Sequence, residues 1–153
     1  MLDDAIERVL IDADTIAAKV KHMAAQISAT YQGVGELVLV CILNGAFRFT
    51  ADLEQHLSVP YNIDFMSLSS YPAAVARATG EVRVLLDVKN SLHSKHVLIV
   101  EDIIDSGLTL SDLVETLDKR KPASLRVCAL LDKNKPCRIR EKPGRLAYTG
   151  FSI

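Results

Sequence analysis

Residues 97–109 read Val-Leu-Ile-Val-Glu-Asp-Ile-Ile-Asp-Ser-Gly-Leu-Thr. Val97, Leu98, Ile99 and Val100 form an apolar run without alternation, the pattern of a strand buried on both faces. Two adjacent acids, Glu101 and Asp102, come next, and a short loop carries Ser106, Gly107 and Thr109. Beyond it Leu110, Leu113, Val114 and Leu117 fall on one face of a helix. The expectation is a core strand over 97–100, a polar loop that starts with the acids, and a helix.

The same order recurs on either side. Residues 37–43 are a second continuous apolar run, broken by Asn44-Gly45 ahead of a helical stretch over 46–56. An amphipathic helix is expected over 14–31, with Ile16, Val20, Met23, Ala24 and Ile27 on its apolar face and Asp14 or Thr15 as its cap. Further strands are expected over 61–68, 81–86, 124–131 and 146–153. Between the first two of these lies 69–80, a small and polar segment containing Pro72 that reads as mobile. Alternating strands and helices predict an α/β fold, a largely parallel twisted sheet flanked by helices, with ligands at the carboxyl ends of the strands.

A chain of 153 residues predicts one domain over 1–153. A formal charge of −1 offers no field to gather nucleic acid or anionic lipid, so an anionic ligand must be held by a local cradle. Cys41, Cys128 and Cys137 are odd in number and far apart, which argues against a disulfide framework or a zinc site. The start, Met1-Leu2-Asp3-Asp4, has no basic, apolar leader, and no apolar run is long enough to span a bilayer. A cytoplasmic protein acting on small molecules is expected. The four histidines show no partner spacing and receive no role.

The chemistry concentrates at 101–109. Hydroxyls and free backbone N–H groups at a helix N-terminus make a phosphate cradle, and Gly107 allows close approach. Neither GxxxxGK[ST] nor GxGxxG occurs in the chain, which removes the Walker and dinucleotide readings. Carboxylates beside a phosphate cradle need a ligand that shows them something other than phosphate. A ribose 5-phosphate does so, with its phosphate on the loop, its diol on Glu101 and Asp102, and Mg²⁺ nearby.

An apolar strand, two acids and Asp105-Ser106-Gly107-Leu108-Thr109 together resemble the signature of the type I phosphoribosyltransferases. The closer resemblance, from about Ile11 to Ile153, is to the hypoxanthine-guanine phosphoribosyltransferase family. It is carried by Leu43-Asn44-Gly45-Ala46-Phe47, Ile63-Asp64-Phe65-Met66, Ser69-Ser70-Tyr71, Gly80-Glu81-Val82-Arg83 and Leu130-Leu131-Asp132-Lys133, in the family's order. The resemblance implies the type I fold with a small hood, and purine salvage: transfer of a phosphoribosyl group from phosphoribosyl pyrophosphate to hypoxanthine or guanine, giving IMP or GMP. It implies a homodimer or homotetramer.

The resemblance also implies roles. Glu101 and Asp102 hold the ribose hydroxyls and Mg²⁺. Asp105, Ser106, Gly107, Leu108 and Thr109 hold the 5-phosphate, and Asp105 acts as general base at N7 of the purine. Leu43, Asn44 and Gly45 bind pyrophosphate, in the family often through a non-proline cis peptide. Lys133, Tyr148 and Thr149 bind the purine, and Ser70 and Tyr71 belong to a closing lid. Taken without the family, Lys133 reads as a solvated strand-end lysine and Tyr148 as a core aromatic.

There are departures. Asn44 stands where the family usually has a basic residue, Pro72 where glycine often follows the tyrosine, and Ala147 where an aspartate is frequent. The family continues past Ile153 with Pro-Asp and a later arginine, so a C-terminal segment is expected to be missing. Two other readings stay open: a non-catalytic nucleotide-sensing regulator on the same fold, and a phosphoribosyltransferase for another base such as xanthine or a pyrimidine.

Overall fold

The computed structural model describes residues 6–69, 83–136 and 145–153. Six strands form one sheet: β1 (Leu37–Leu43), β2 (Tyr61–Leu68), β3 (Val84–Leu86), β4 (His96–Ile104), β5 (Ser124–Asp132) and β6 (Leu146–Ser152). Their order across the sheet is β3-β2-β1-β4-β5-β6. All neighbours are parallel except β2 and β3, which run antiparallel. The helices among the described residues are α1 (Ala13–Tyr31), α2 (Phe47–Glu54) and α3 (Leu108–Asp118).

β4 lies at the centre, and Val97, Leu98, Ile99 and Val100 are each fully buried. Alternation sends them to opposite layers. Val97 and Ile99 pack with Leu110, Leu113 and Leu117 of α3, while Leu98 and Val100 pack with Val20, Met23 and Ile27 of α1 and Phe49 of α2. Burial of such a side chain stabilises by roughly 1.5–3 kcal/mol, so a one-residue slip of β4 would be prohibitive.

The expected boundaries shift in places. β4 does not end at Val100: it pairs with β5 through Glu101, Ile103 and Ile104, so the two acids sit inside the strand and the loop starts only at Asp105. β-branched Ile103 and Ile104, with Ile104 buried, keep the ladder going past the charges. The cap of α1 is Asp12, whose carboxylate accepts the Thr15 N–H at 2.8 Å, rather than Asp14 or Thr15. The helix after β1 is shorter than 46–56, because Ala46 is its cap and His56 only closes a turn on Leu53. Val84–Leu86 confirms part of the strand expected over 81–86. Residues 70–82, with Ser70, Tyr71 and most of the segment expected to be mobile, lie outside the described residues, as does Cys137. Cys41 and Cys128 are buried free thiols.

Two polar side chains pin the ends of the sheet. His96 binds Ser124 Oγ at 2.8 Å and the Val34 carbonyl at 2.9 Å, joining β4, β5 and the turn after α1. Buried Asp64 on β2 accepts the N–H groups of Phe65 at 2.9 Å, Lys89 at 2.9 Å and Asn90 at 3.2 Å, and so fastens the loop that leads into β4. Asp64→Ala leaves these donors without their partner, at about 1–3 kcal/mol for each group that water cannot reach. Urea unfolding should show a lower midpoint with an unchanged slope, a loss of about 2–4 kcal/mol.

Candidate active site

The carboxyl ends of β1, β4 and β5 gather the polar groups that the buried parts of these strands cannot accept. At the end of β1 the Leu43–Asn44 peptide is cis, as the family resemblance implies, and Gly45 follows. A Cβ on Gly45 would overlap the Asp102 carboxylate. Only glycine lets this loop lie directly against the acid.

Glu101 and Asp102 carry the facing rule of β4 beyond the core. Asp102 continues the Leu98 and Val100 side and lines a cavity of about 520 Å³ with Gly45, Ile16, Val20 and Phe49. Glu101 continues the Val97 and Ile99 side and lines a smaller cavity of about 160 Å³ with residues 103–110. The acids therefore do not open into one pocket as a pair. They stay in contact at the rim of the sheet, where the Asp102 N–H donates to the Glu101 carboxylate at 3.2 Å. Burial pushes the Glu101 carboxyl up to about 8, and hydrogen bonding to the Asp102 side chain and its negative charge add to the shift.

All of the expected phosphate-loop residues, Asp105, Ser106, Gly107, Leu108 and Thr109, line the smaller cavity. Gly107 caps α3 at φ 70°, a left-handed conformation that favours glycine, and no side chain caps the helix. The first N–H groups of α3 thus face the cavity without a carboxylate on them, the arrangement that accepts an anion. Its size, below the roughly 300–1,000 Å³ of a cofactor pocket, suits the phosphate end of a larger ligand.

Asp105 stands at the mouth of this turn. Lys133 Nζ lies 3.1 Å from one carboxylate oxygen and Lys135 Nζ 2.6 Å from the other. Lys135 and then Lys133 hold this carboxyl below the usual carboxylate range. Lys133 was expected to bind the purine, and its ion pair with Asp105 was not foreseen. Lys135 was not expected at the site, and its only signal was a second lysine two residues further along, which reads equally as a solvated charge.

Tyr148 is placed otherwise. It pairs with Cys128, in the row of Val100, and its ring is buried under α1 at 8% exposure. Lys133 leaves the sheet after Asp132, which stands in the row of Ser152. Tyr148 thus packs with the core cluster beneath α1, and Lys133 stands beyond the end of β5. Thr149 is exposed and paired with Ala129, which also pairs with Glu101.

A largely parallel sheet with acids at the rim of its central strand and an open helix N-terminus beside them is the arrangement of the phosphoribosyl transferase class. Residues 10–147 match the phosphoribosyl transferase domain family. The chain is 39% identical over 153 residues to the hypoxanthine-guanine-xanthine phosphoribosyltransferase of Tritrichomonas foetus, covering 100% of this chain and 80% of that one. It is 44% identical over 146 residues to the hypoxanthine phosphoribosyltransferase of Salmonella typhimurium, covering 95% and 80%. A crystal structure of a Bacillus anthracis hypoxanthine-guanine phosphoribosyltransferase superposes with a TM-score of 0.86 at 38% identity, over 97% of this chain and 85% of that one. The chain belongs to the hypoxanthine-guanine phosphoribosyltransferase family.

The raised Glu101 carboxyl has a definite sign. Its folded form holds a proton that the unfolded chain gives up near the ordinary value of 4.5, so its contribution to stability is complete below that value and is lost as pH rises to about 8. Glu101→Gln keeps the neutral shape. Without substrate or divalent cation, thermal melts should show this variant more stable than the parent at about pH 8.5 and level with it near the unfolded value.

Proposed function

We propose that the chain moves the 5-phosphoribosyl group of phosphoribosyl pyrophosphate to hypoxanthine or guanine, giving IMP or GMP and releasing pyrophosphate. The observation that carries this reading is the shared cavity of Glu101 and the 105–109 turn, with the left-handed Gly107 opening the N-terminus of α3. The 5-phosphate sits on the amides and hydroxyls of that turn, and the ribose hydroxyls reach back to Glu101 and Asp102. The loop of Leu43, Asn44 and Gly45, abutting Asp102, supports the pyrophosphate through its backbone N–H groups.

In the reaction a base nitrogen forms its bond to C1 of the ribose while the bond from C1 to the pyrophosphate oxygen breaks. Asp105 accepts the proton from N7, so that no positive charge accumulates on the purine. General base assistance of this kind is worth about 10² to 10⁴ in rate. Lys133 donates to the 6-oxo oxygen, which adenine lacks; adenine presents a donor there and leaves the ammonium unpaired.

Glu101 and Asp102, each from its own side of β4, would offer Mg²⁺ a carboxylate, and the ion takes only one or two protein carboxylates and completes its shell with water and phosphate oxygens. When bound, it supplies charge stabilisation on the leaving pyrophosphate. The proposal includes action in the cytoplasm and a homodimeric or homotetrameric enzyme. Tyr148 and Thr149, on the last strand, complete the purine site in this reading, with the Tyr148 ring stacking on the base. A wider base range that includes xanthine is favoured by the name of the Tritrichomonas foetus relative.

A spectrophotometric assay of hypoxanthine, guanine, xanthine and adenine with phosphoribosyl pyrophosphate and Mg²⁺ tests the reading. Nucleotide should form with the first two and not with adenine; turnover of adenine alone would overturn it. Asp105→Asn should lower kcat by about 10² to 10⁴ while nucleotide binding changes far less. Equal losses in both would remove Asp105 from the role of base.

A further inference from the structure

One carboxylate, Asp105, is shared by two lysines, and the incoming base offers a single 6-oxo oxygen. When Lys133 turns to that oxygen, one side of Asp105 is released. Lys135 has the shorter contact, 2.6 Å against 3.1 Å. We propose that Lys135 is a positioning residue for Asp105, holding one of its carboxylate oxygens in place after the base has drawn Lys133 from the other. The proposal rests on the reading of Asp105 as the base.

The backbone is built for this double contact. Buried Asp132 accepts the Asn134 N–H at 2.8 Å, Lys133 N–H donates to the Ile104 carbonyl at 3.0 Å, and Asn134 takes φ 58°. A left-handed residue between two lysines, anchored on both sides, turns the chain so that both ammoniums reach the same carboxylate. Asparagine tolerates that conformation better than most residues.

A further constraint makes such an anchor useful. Asp105 lines the same cavity as the open N-terminus of α3. A released carboxylate is itself an anion, and the amides that must receive the phosphate would attract it. Lys135 holds it outside that cradle. Among the described residues the charged groups near Asp105 include Lys133 and Lys135 after β5, buried Asp132 at the end of β5 opposite Ile104, and Glu101, across the cavity on β4. The turn into α3 adds only the uncharged Ser106 and Thr109.

The test compares Lys135→Gln and Lys135→Arg with the parent. Lys135 is more than half exposed, so both should fold. Lys135→Gln is expected to lower kcat about tenfold with little change in the KM for the base. Its activity should also be lost at higher pH on the acid side, because Asp105 has lost a neighbouring cation. Lys135→Arg should restore most of both. In the ligand-free protein, carbon-13 NMR of the Asp105 carboxyl should titrate at higher pH in Lys135→Gln than in the parent, whatever the activity. An unchanged titration, or parental kcat and pH profile in Lys135→Gln, overturns the proposal. If Asp105→Asn remains active, the reading of Asp105 as base fails instead; if Asp105→Asn is inactive and Lys135→Gln behaves as the parent, only the positioning role fails.

Discussion

The site depends on β4 being held from both sides. Four consecutive residues with no exposure, pairing with β1 on one edge and β5 on the other, leave this strand no freedom to slide, rotate or fray. Whatever follows them inherits that rigidity. Glu101 and Asp102 are part of the same ladder, and Asp105 is the first residue beyond it. Charges that have to be held within a few tenths of an ångström gain more from an extended core strand than from a loop.

The same strand geometry explains how the acids divide the work. Neighbouring residues of a strand face opposite sides, so Glu101 meets the α3 turn and Asp102 meets Gly45 and the cavity beneath α1. A ligand that uses both must straddle the end of β4. Ribose 5-phosphate with a leaving pyrophosphate is long and polar in that sense, and on the proposed reading its phosphate would lie towards α3 and its pyrophosphate towards the β1 loop. Net charge plays no part. A chain of formal charge −1 would hold an anionic substrate through the oriented amides at the start of α3.

The centre of the sheet was legible because β1 and β4 are buried apolar runs, each followed by a glycine-containing turn. Residues 37–43 and 97–100 could be read as little else. The acids were misplaced by one step, since charges ordinarily end a buried strand, and only pairing of Ile103 and Ile104 with β5 carries the ladder past them. Tyr148 was legible only as an aromatic in a short strand, with two faces to choose from; in the structure it packs in the cluster that holds Val20, Met23 and Ile27 of α1. Lys135 was visible in the sequence only as a second lysine, because its meaning lies in the left-handed turn at Asn134.

That turn bears on the chemistry of proton transfer. A cation beside a carboxylate keeps it ionised and makes it a weaker base, so holding Asp105 between two lysines sets readiness against strength. On the proposed reading, a 6-oxopurine would shift that balance: Lys133 would turn its charge towards the substrate oxygen, and Asp105 would become more basic as N7 became more acidic. A base with no oxygen at position 6 would give Lys133 no reason to leave, and Asp105 would stay doubly paired. Discrimination among purines would then come in part from the state in which each leaves the Asp105 carboxylate, and not only from the hydrogen bond each can make.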